Sequence, residues 1–179
     1  LAGISMTKIA FLMDPIETVA IKKDSTLAMI RAAQMRGMDV YYCRQEDLVI
    51  SDNRVCAYLS RLALVSHFAE ALDPASVNNG EDSWFTLASE ELMPLSTMDI
   101  VMMRKDPPFD MEYIYTTYLL ERAESEGVRV VTRPVSLRDC NEQRFATAFP
   151  EGCPPLVVSR RLDVCLLYTS PSPRDRSSS

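Results

Sequence analysis

The sequence predicts an α/β domain layered around a parallel sheet. Short apolar runs alternate with amphipathic helical stretches, capping residues and glycines bracket those stretches, and 47% of the 179 residues are hydrophobic, an ordinary proportion for a chain that buries a core.

Lys8-Ile9-Ala10-Phe11-Leu12-Met13 is an apolar run closed by Asp14-Pro15, which reads as a buried strand ending in a turn. Beyond Lys22-Lys23, Asp24 and Ser25 are good N-cap residues for a helix that places Leu27, Ile30, Ala33 and Gln34 on one side, and Gly37 supplies its stop. Asp39-Val40-Tyr41-Tyr42-Cys43 follows as a second strand and completes a β-α-β unit. Leu48-Val49-Ile50 and residues 55–59, joined by Ser51-Asp52-Asn53, predict a hairpin at a sheet edge.

From residue 66 to 94 the periodicity fades, and Pro74 with Asn78-Asn79-Gly80 predicts an irregular loop. Asp99-Ile100-Val101-Met102-Met103 is the next strand, with Arg104 to Asp110 at its carboxyl end. Asp110 then caps a helix over about residues 111–126, expected to gather Ile114, Tyr115, Tyr118, Leu119 and Arg122 on one face. Gly127 ends it, and Val128-Arg129-Val130-Val131 reads as a further parallel strand. In such a domain ligands bind beyond the carboxyl ends of the strands, so the loops at 14–24 and 104–110 are the places to look.

Composition excludes several classes of function. Nineteen Lys plus Arg against twenty-five Asp plus Glu leave a net charge of −6, so a nucleic acid or an anionic membrane would meet a repelling surface. The longest apolar runs fall far short of the roughly 18 to 20 residues of a membrane span. Leu1 to Ser5 lack the basic flank and apolar core of a secretory signal, so the expected address is cytoplasmic, with Met6 as natural start and residues 1–5 as an incidental leader. Cys43, Cys56, Cys140, Cys153 and Cys165 are odd in number and never spaced C-x-x-C, which suggests reduced thiols rather than disulfides or a zinc site. Residues 165–179 end in a Ser-Pro-Arg tract without apolar side chains and read as a disordered, foreign tail.

Arg104 is the first candidate for chemistry. A guanidinium at the end of a sheet strand can grip a carboxylate or phosphate through paired hydrogen bonds, and Pro107-Pro108 restricts the direction in which its loop leaves. The bland alternative pairs Arg104 with Asp106 or Asp110. Lys22, Lys23, Asp24 and Ser25 stand before a helix whose free N–H groups would favour an anion, against the reading of a plain capped helix with solvated lysines. No glycine-rich phosphate loop accompanies them, and with five glycines in the chain a nucleotide cradle of the usual kind is missing. His67, the single histidine, reads as a loop residue, while the helical tyrosines and the ten methionines read as core. No catalytic residue and no metal ligand set emerges.

Met13-Asp14-Pro15-Ile16, Ile21-Lys22-Lys23-Asp24-Ser25, Met103-Arg104-Lys105-Asp106-Pro107-Pro108-Phe109-Asp110 and Ser136-Leu137-Arg138-Asp139-Cys140-Asn141-Glu142 together resemble the N-terminal region of prokaryotic-type glutathione synthetases. The resemblance runs from Met6 to about Val164, with extra residues around 73–82. It implies a pre-ATP-grasp (Rossmann-like) domain at 6–142 and the truncated start of an ATP-grasp domain at 143–164. The activity implied is ligation of γ-glutamylcysteine to glycine through an acyl phosphate, with ATP and Mg2+ as cofactors. Arg104 would face the peptide substrate, with Lys22, Asp24 and Ser25 nearby. Gln143, beside Arg144, stands where the family commonly carries a nucleotide-contacting lysine. The remaining nucleotide and magnesium residues would lie beyond this chain, leaving it inactive alone. Two alternatives stay open: a non-catalytic binding or assembly module of the same fold, and another ATP-grasp peptide ligase. The sequence is also compatible with a homo-oligomer.

Overall fold

The structure, a computed structural model, describes residues 6–21, 23–65, 84–106, 108–140, 145, 147–153 and 159–163. The chain divides into two compact units, residues 1–135 and 136–179.

In the first unit, β1 (Lys8–Leu12) is the central strand. It runs parallel to β2 (Asp39–Cys43) on one edge and to β7 (Ile100–Met103) on the other, and β8 (Arg129–Val131) extends the parallel ladder from β7. A strand paired on both edges and covered on both faces must be apolar throughout. Accordingly Ala10, Phe11 and Leu12 have no exposed surface.

Helix α1 (Ser25–Met35) returns the chain from β1 to β2, and α2 (Met111–Ser125) from β7 to β8. The two crossovers step away from β1 and β7 in opposite directions along the sheet. Right-handed connections therefore put α1 and α2 on opposite faces. The burial agrees: Ile30 and Ala33 of α1 pack with Ile9, Phe11, Val40 and Tyr42, alternate residues of β1 and β2 that share one face.

The remaining strands are antiparallel. The hairpin of β3 (Leu48–Ser51) and β4 (Arg54–Leu64) turns at Asp52 and Asn53, whose φ of 49° and 62° are the left-handed pair that a two-residue hairpin turn requires. β4 is longer than the sequence indicates. Its start pairs with β3, its later residues Ser60 and Arg61 with β2, and its opposite edge with β5 (Phe85–Leu87) and β6 (Glu91–Pro94). Part of the expected loop over 66–94 is thus sheet. Strands of three and four residues are too short to show an alternation, and what they share is a long partner strand, a non-local property. Residues 66–83, which include His67 and the turn residues Pro74 and Asn78 to Gly80, lie outside the described residues, as do residues 1–5 and 165–179.

Both helix caps form as the residue types dictate. The Asp24 carboxylate accepts from the backbone N–H of Thr26 and Leu27, and that of Asp110 from the N–H of Tyr113. Gly37 and Gly127 follow the two helices at positive φ. The buried face of α2 corrects the sequence reading. Tyr113, Thr116, Thr117, Leu120 and Ala123 face the sheet, whereas Tyr115 and Tyr118 are more than half exposed. The two faces of this helix differ little in hydrophobicity. Small residues win the inner one because they allow close approach, and Thr117 offsets the burial of its hydroxyl by donating to the Ile114 carbonyl. Of the methionines, Met13, Met98 and Met103 fill core while Met29, Met35 and Met111 are exposed. The last turn of α2 is tied to the hairpin: Arg122 donates to both oxygens of Asn53, and the Glu126 carboxylate accepts from the Val55 N–H.

A short helix α3 (Pro134–Asp139), absent from the sequence reading, spans the division between the units. Within the second unit the described residues include a single 3₁₀ turn at Pro150–Gly152 and a ring contact between Phe145 and Phe149.

The face assignment of α2 is directly testable. Leu120→Ala should destabilise the chain by about 3 kcal/mol and Tyr118→Ala by less than about 1 kcal/mol in denaturant titrations. Equal losses would restore the other face as the buried one.

Candidate functional site

The crossover direction reverses between β1 and β7, so the connections leaving their carboxyl ends diverge to opposite faces of the sheet, which opens the kind of crevice in which open α/β sheets bind ligands. Two hydrogen bonds carry the ladders past the strands: Arg104 N–H donates to the Leu12 carbonyl at 2.7 Å, and Met13 N–H to the Cys43 carbonyl at 3.1 Å. The loops after β1 and β7 therefore start side by side.

Asp14, the first loop residue after β1, latches the two loops together. Its carboxylate accepts from Lys105 Nζ at 2.8 Å and from the Asp106 N–H at 3.0 Å, and Lys105 also donates to the Asp106 carbonyl. The Lys105 charge is thereby spent within the protein. Asp110 is spent as well, as the cap of α2.

Arg104 is arranged differently. Its Nε donates to Thr26 Oγ1 at 3.0 Å and its Nη2 to Ser25 Oγ at 2.8 Å, so one edge of the planar guanidinium lies along the first turn of α1. It pairs with neither Asp106 nor Asp110, which corrects the bland alternative for this residue. Among the described residues no carboxylate reaches it, and Nη1 meets no acceptor. A guanidinium anchored by two neutral hydroxyls keeps its full positive charge, and its outer edge has two parallel N–H bonds of the spacing a carboxylate accepts.

The other sequence candidates fall around this group. Ser25 is an anchor of Arg104. Asp24 is the cap of α1, and its carboxylate already occupies the Thr26 and Leu27 N–H groups, so those donors are not open to a ligand. Lys23 is exposed beside the cap, and Lys22 lies outside the described residues. So do Gln143 and Arg144. Sequence reasoning missed Thr26 and Asp14. Asp14 was legible only as a turn former, and Thr26, in the first turn of a helix, carries no periodic signal that separates a packing hydroxyl from an anchoring one.

The end of β2 beside these loops is buried, with Tyr42 7% and Cys43 1% exposed. Burial pushes the Tyr42 hydroxyl up to about 12 and the Cys43 thiol well above the usual thiol range, the Asp47 carboxylate adding to the second. On the α2 side a cleft of about 390 Å3 opens between Gln45, Glu46, Lys105 and Tyr115. A hollow of about 370 Å3 at the opposite end of β2 is structural: the Gln34 amide there is committed to the Leu62 carbonyl and the Leu64 N–H, and Asp39 to Arg61. Among the described residues no three His, Cys, Asp or Glu side chains gather to hold a metal, and no helix is long and apolar enough to cross a membrane.

The family model for the prokaryotic glutathione synthetase N-terminal domain matches residues 7–138. Among curated relatives, the chain is 46% identical over 163 residues to a glutathione synthetase of Pseudomonas putida, covering 91% of this chain and 47% of the relative. It is 48% identical over 157 residues to one from Pseudomonas syringae, covering 88% and 45%. To one from Yersinia pestis it is 43% identical over 158 residues, covering 88% and 46%. The chain thus spans about half the length of the curated relatives it matches.

Cys43 tests the burial of this strand end. A raised pKa leaves little thiolate at pH 8, so maleimide should modify exposed Cys140 in the native chain and reach Cys43 only after denaturant is added, as read by peptide mass spectrometry. Native labelling of Cys43 at the rate of Cys140 would show that the end of β2 is open to solvent.

Proposed function

Because the chain belongs to the prokaryotic glutathione synthetase N-terminal domain family, we propose that it supplies the peptide-binding side of a cytoplasmic ligase that joins γ-glutamylcysteine to glycine. The observation that carries this reading is Arg104: a half-buried guanidinium at the strand-end crevice that, among the described residues, meets no carboxylate and has no acceptor on its outer edge. A substrate carboxylate received on that edge is fixed in position and in plane, which restricts the reacting end to a small volume before chemistry begins. Ser25 anchors the guanidinium, Asp24 holds the helix turn that carries Ser25, and exposed Lys23 adds positive potential beside the cap.

ATP and Mg2+ belong to this proposal through the family. The acyl phosphate they would form needs acidic metal ligands, and among the described residues no three His, Cys, Asp or Glu side chains gather to supply them. Gln143 at the family's lysine position is part of the same proposal; as a neutral amide it would contact a nucleotide without neutralising phosphate charge. Dipeptide binding is the part of that activity that the proposal assigns to this domain.

Calorimetry with γ-glutamylcysteine tests this. The 179-residue chain should bind the dipeptide, Arg104→Ala should weaken binding about tenfold or more, and a mixture with ATP, Mg2+ and glycine should yield no glutathione. Absence of dipeptide binding, or equal binding by Arg104→Ala, would sink the substrate-binding reading. Glutathione formation by the chain alone would overturn the division of labour.

A further inference from the structure

Thr26 is a buried polar residue, 4% exposed, whose hydroxyl accepts the Arg104 Nε–H. A threonine in a helical first turn that faces a core is ordinarily replaceable by valine, which has the same shape and no hydroxyl to satisfy. Here the hydroxyl has a defined task. Together with the Ser25 hydroxyl it engages the Nε–Nη2 edge, and two contacts on one edge fix the guanidinium in its plane and in rotation about the side-chain axis.

We propose that Thr26 is a positioning residue, one that sets the Arg104 guanidinium side-on against α1 so that the Nη1–Nη2 edge is presented to the substrate carboxylate. The inference rests on the proposed dipeptide-binding role of Arg104 and adds to it the way the charge is aimed. Thr26 touches no substrate. Its hydroxyl, held by a helix whose register Asp24 caps, supplies an anchor that costs no positive charge, which a carboxylate in the same place would cancel. The arrangement also explains the need for arginine: a lysine ammonium has no second edge to offer once its N–H groups are bonded to the two hydroxyls.

The test compares the 179-residue chain with Thr26→Val and Thr26→Ser in two measurements. The first is the side-chain amide spectrum of arginine, in which the Arg104 Nε–H, assigned through Arg104→Lys, reports its own hydrogen bond without any ligand. The second is calorimetric affinity for γ-glutamylcysteine. Wild type should show a slowly exchanging Nε–H, Thr26→Val should lose that protection and bind about tenfold more weakly at unchanged melting temperature, and Thr26→Ser should recover both to within about twofold. If Thr26→Val matches wild type in affinity, or if Thr26→Ser fails as badly as valine with the fold intact, Thr26 does not position Arg104. If wild type does not bind the dipeptide at all, it is the substrate reading of Arg104 that falls, and the positioning role falls with it; a protected Nε–H would then be only a structural contact.

Discussion

Everything in the first unit depends on the pairing of β1 with two parallel neighbours at once. β1 contributes only five residues, yet it joins its own β-α-β unit to the one that begins at Ile100. The same pairing places the site. Since Arg104 N–H bonds the Leu12 carbonyl and Met13 N–H the Cys43 carbonyl, three loops emerge in fixed register from one line of backbone. The Asp14 latch to Lys105 and Asp106 then adds a side-chain tie to the backbone one.

The distribution of charge in the crevice follows a simple division. Three acidic groups beside the crevice are consumed by structure: Asp24 and Asp110 cap helices, and Asp14 joins two loops. Lys105 is consumed with them. Arg104 escapes because its anchors are hydroxyls. In a protein with a net charge of −6, this cation, which has no carboxylate partner among the described residues, stands where the sheet topology opens a crevice.

The parallel half of the fold was legible in the sequence because its signals are local. Lys8 to Met13, the Asp24 cap, Gly37, the Asp110 cap and Gly127 each mark an element by residue type alone, and four strands with two crossovers follow from them. What escaped depends on distant partners. β5 and β6 exist as edges of β4, and the inner face of α2 is decided by how closely threonines and alanines let the helix approach the sheet, which the more conspicuous tyrosines disguise. At the site, Arg104 was visible as a cation at a strand end. Its true partners, two hydroxyls 78 and 79 residues away, were hidden behind the nearer acids Asp106 and Asp110. The motifs shared with glutathione synthetases pointed to the right family because they are long, while the capping role of Asp24 was decided by local chemistry that any helix could show.

The late arrival of β7 has a consequence for synthesis. When the ribosome has released β1, α1 and β2, that unit can close on local contacts, but the second edge of β1 stays unpaired until the chain through Met103 has emerged. Its apolar residues and open backbone groups are then a template for any extended neighbour. Separations this long slow folding, so the nascent chain passes through a window in which its most buried strand is its most adhesive one. Chaperone demand during translation would then track the interval between β2 and β7, and insertions in that interval would lengthen the exposure without touching a residue of the crevice.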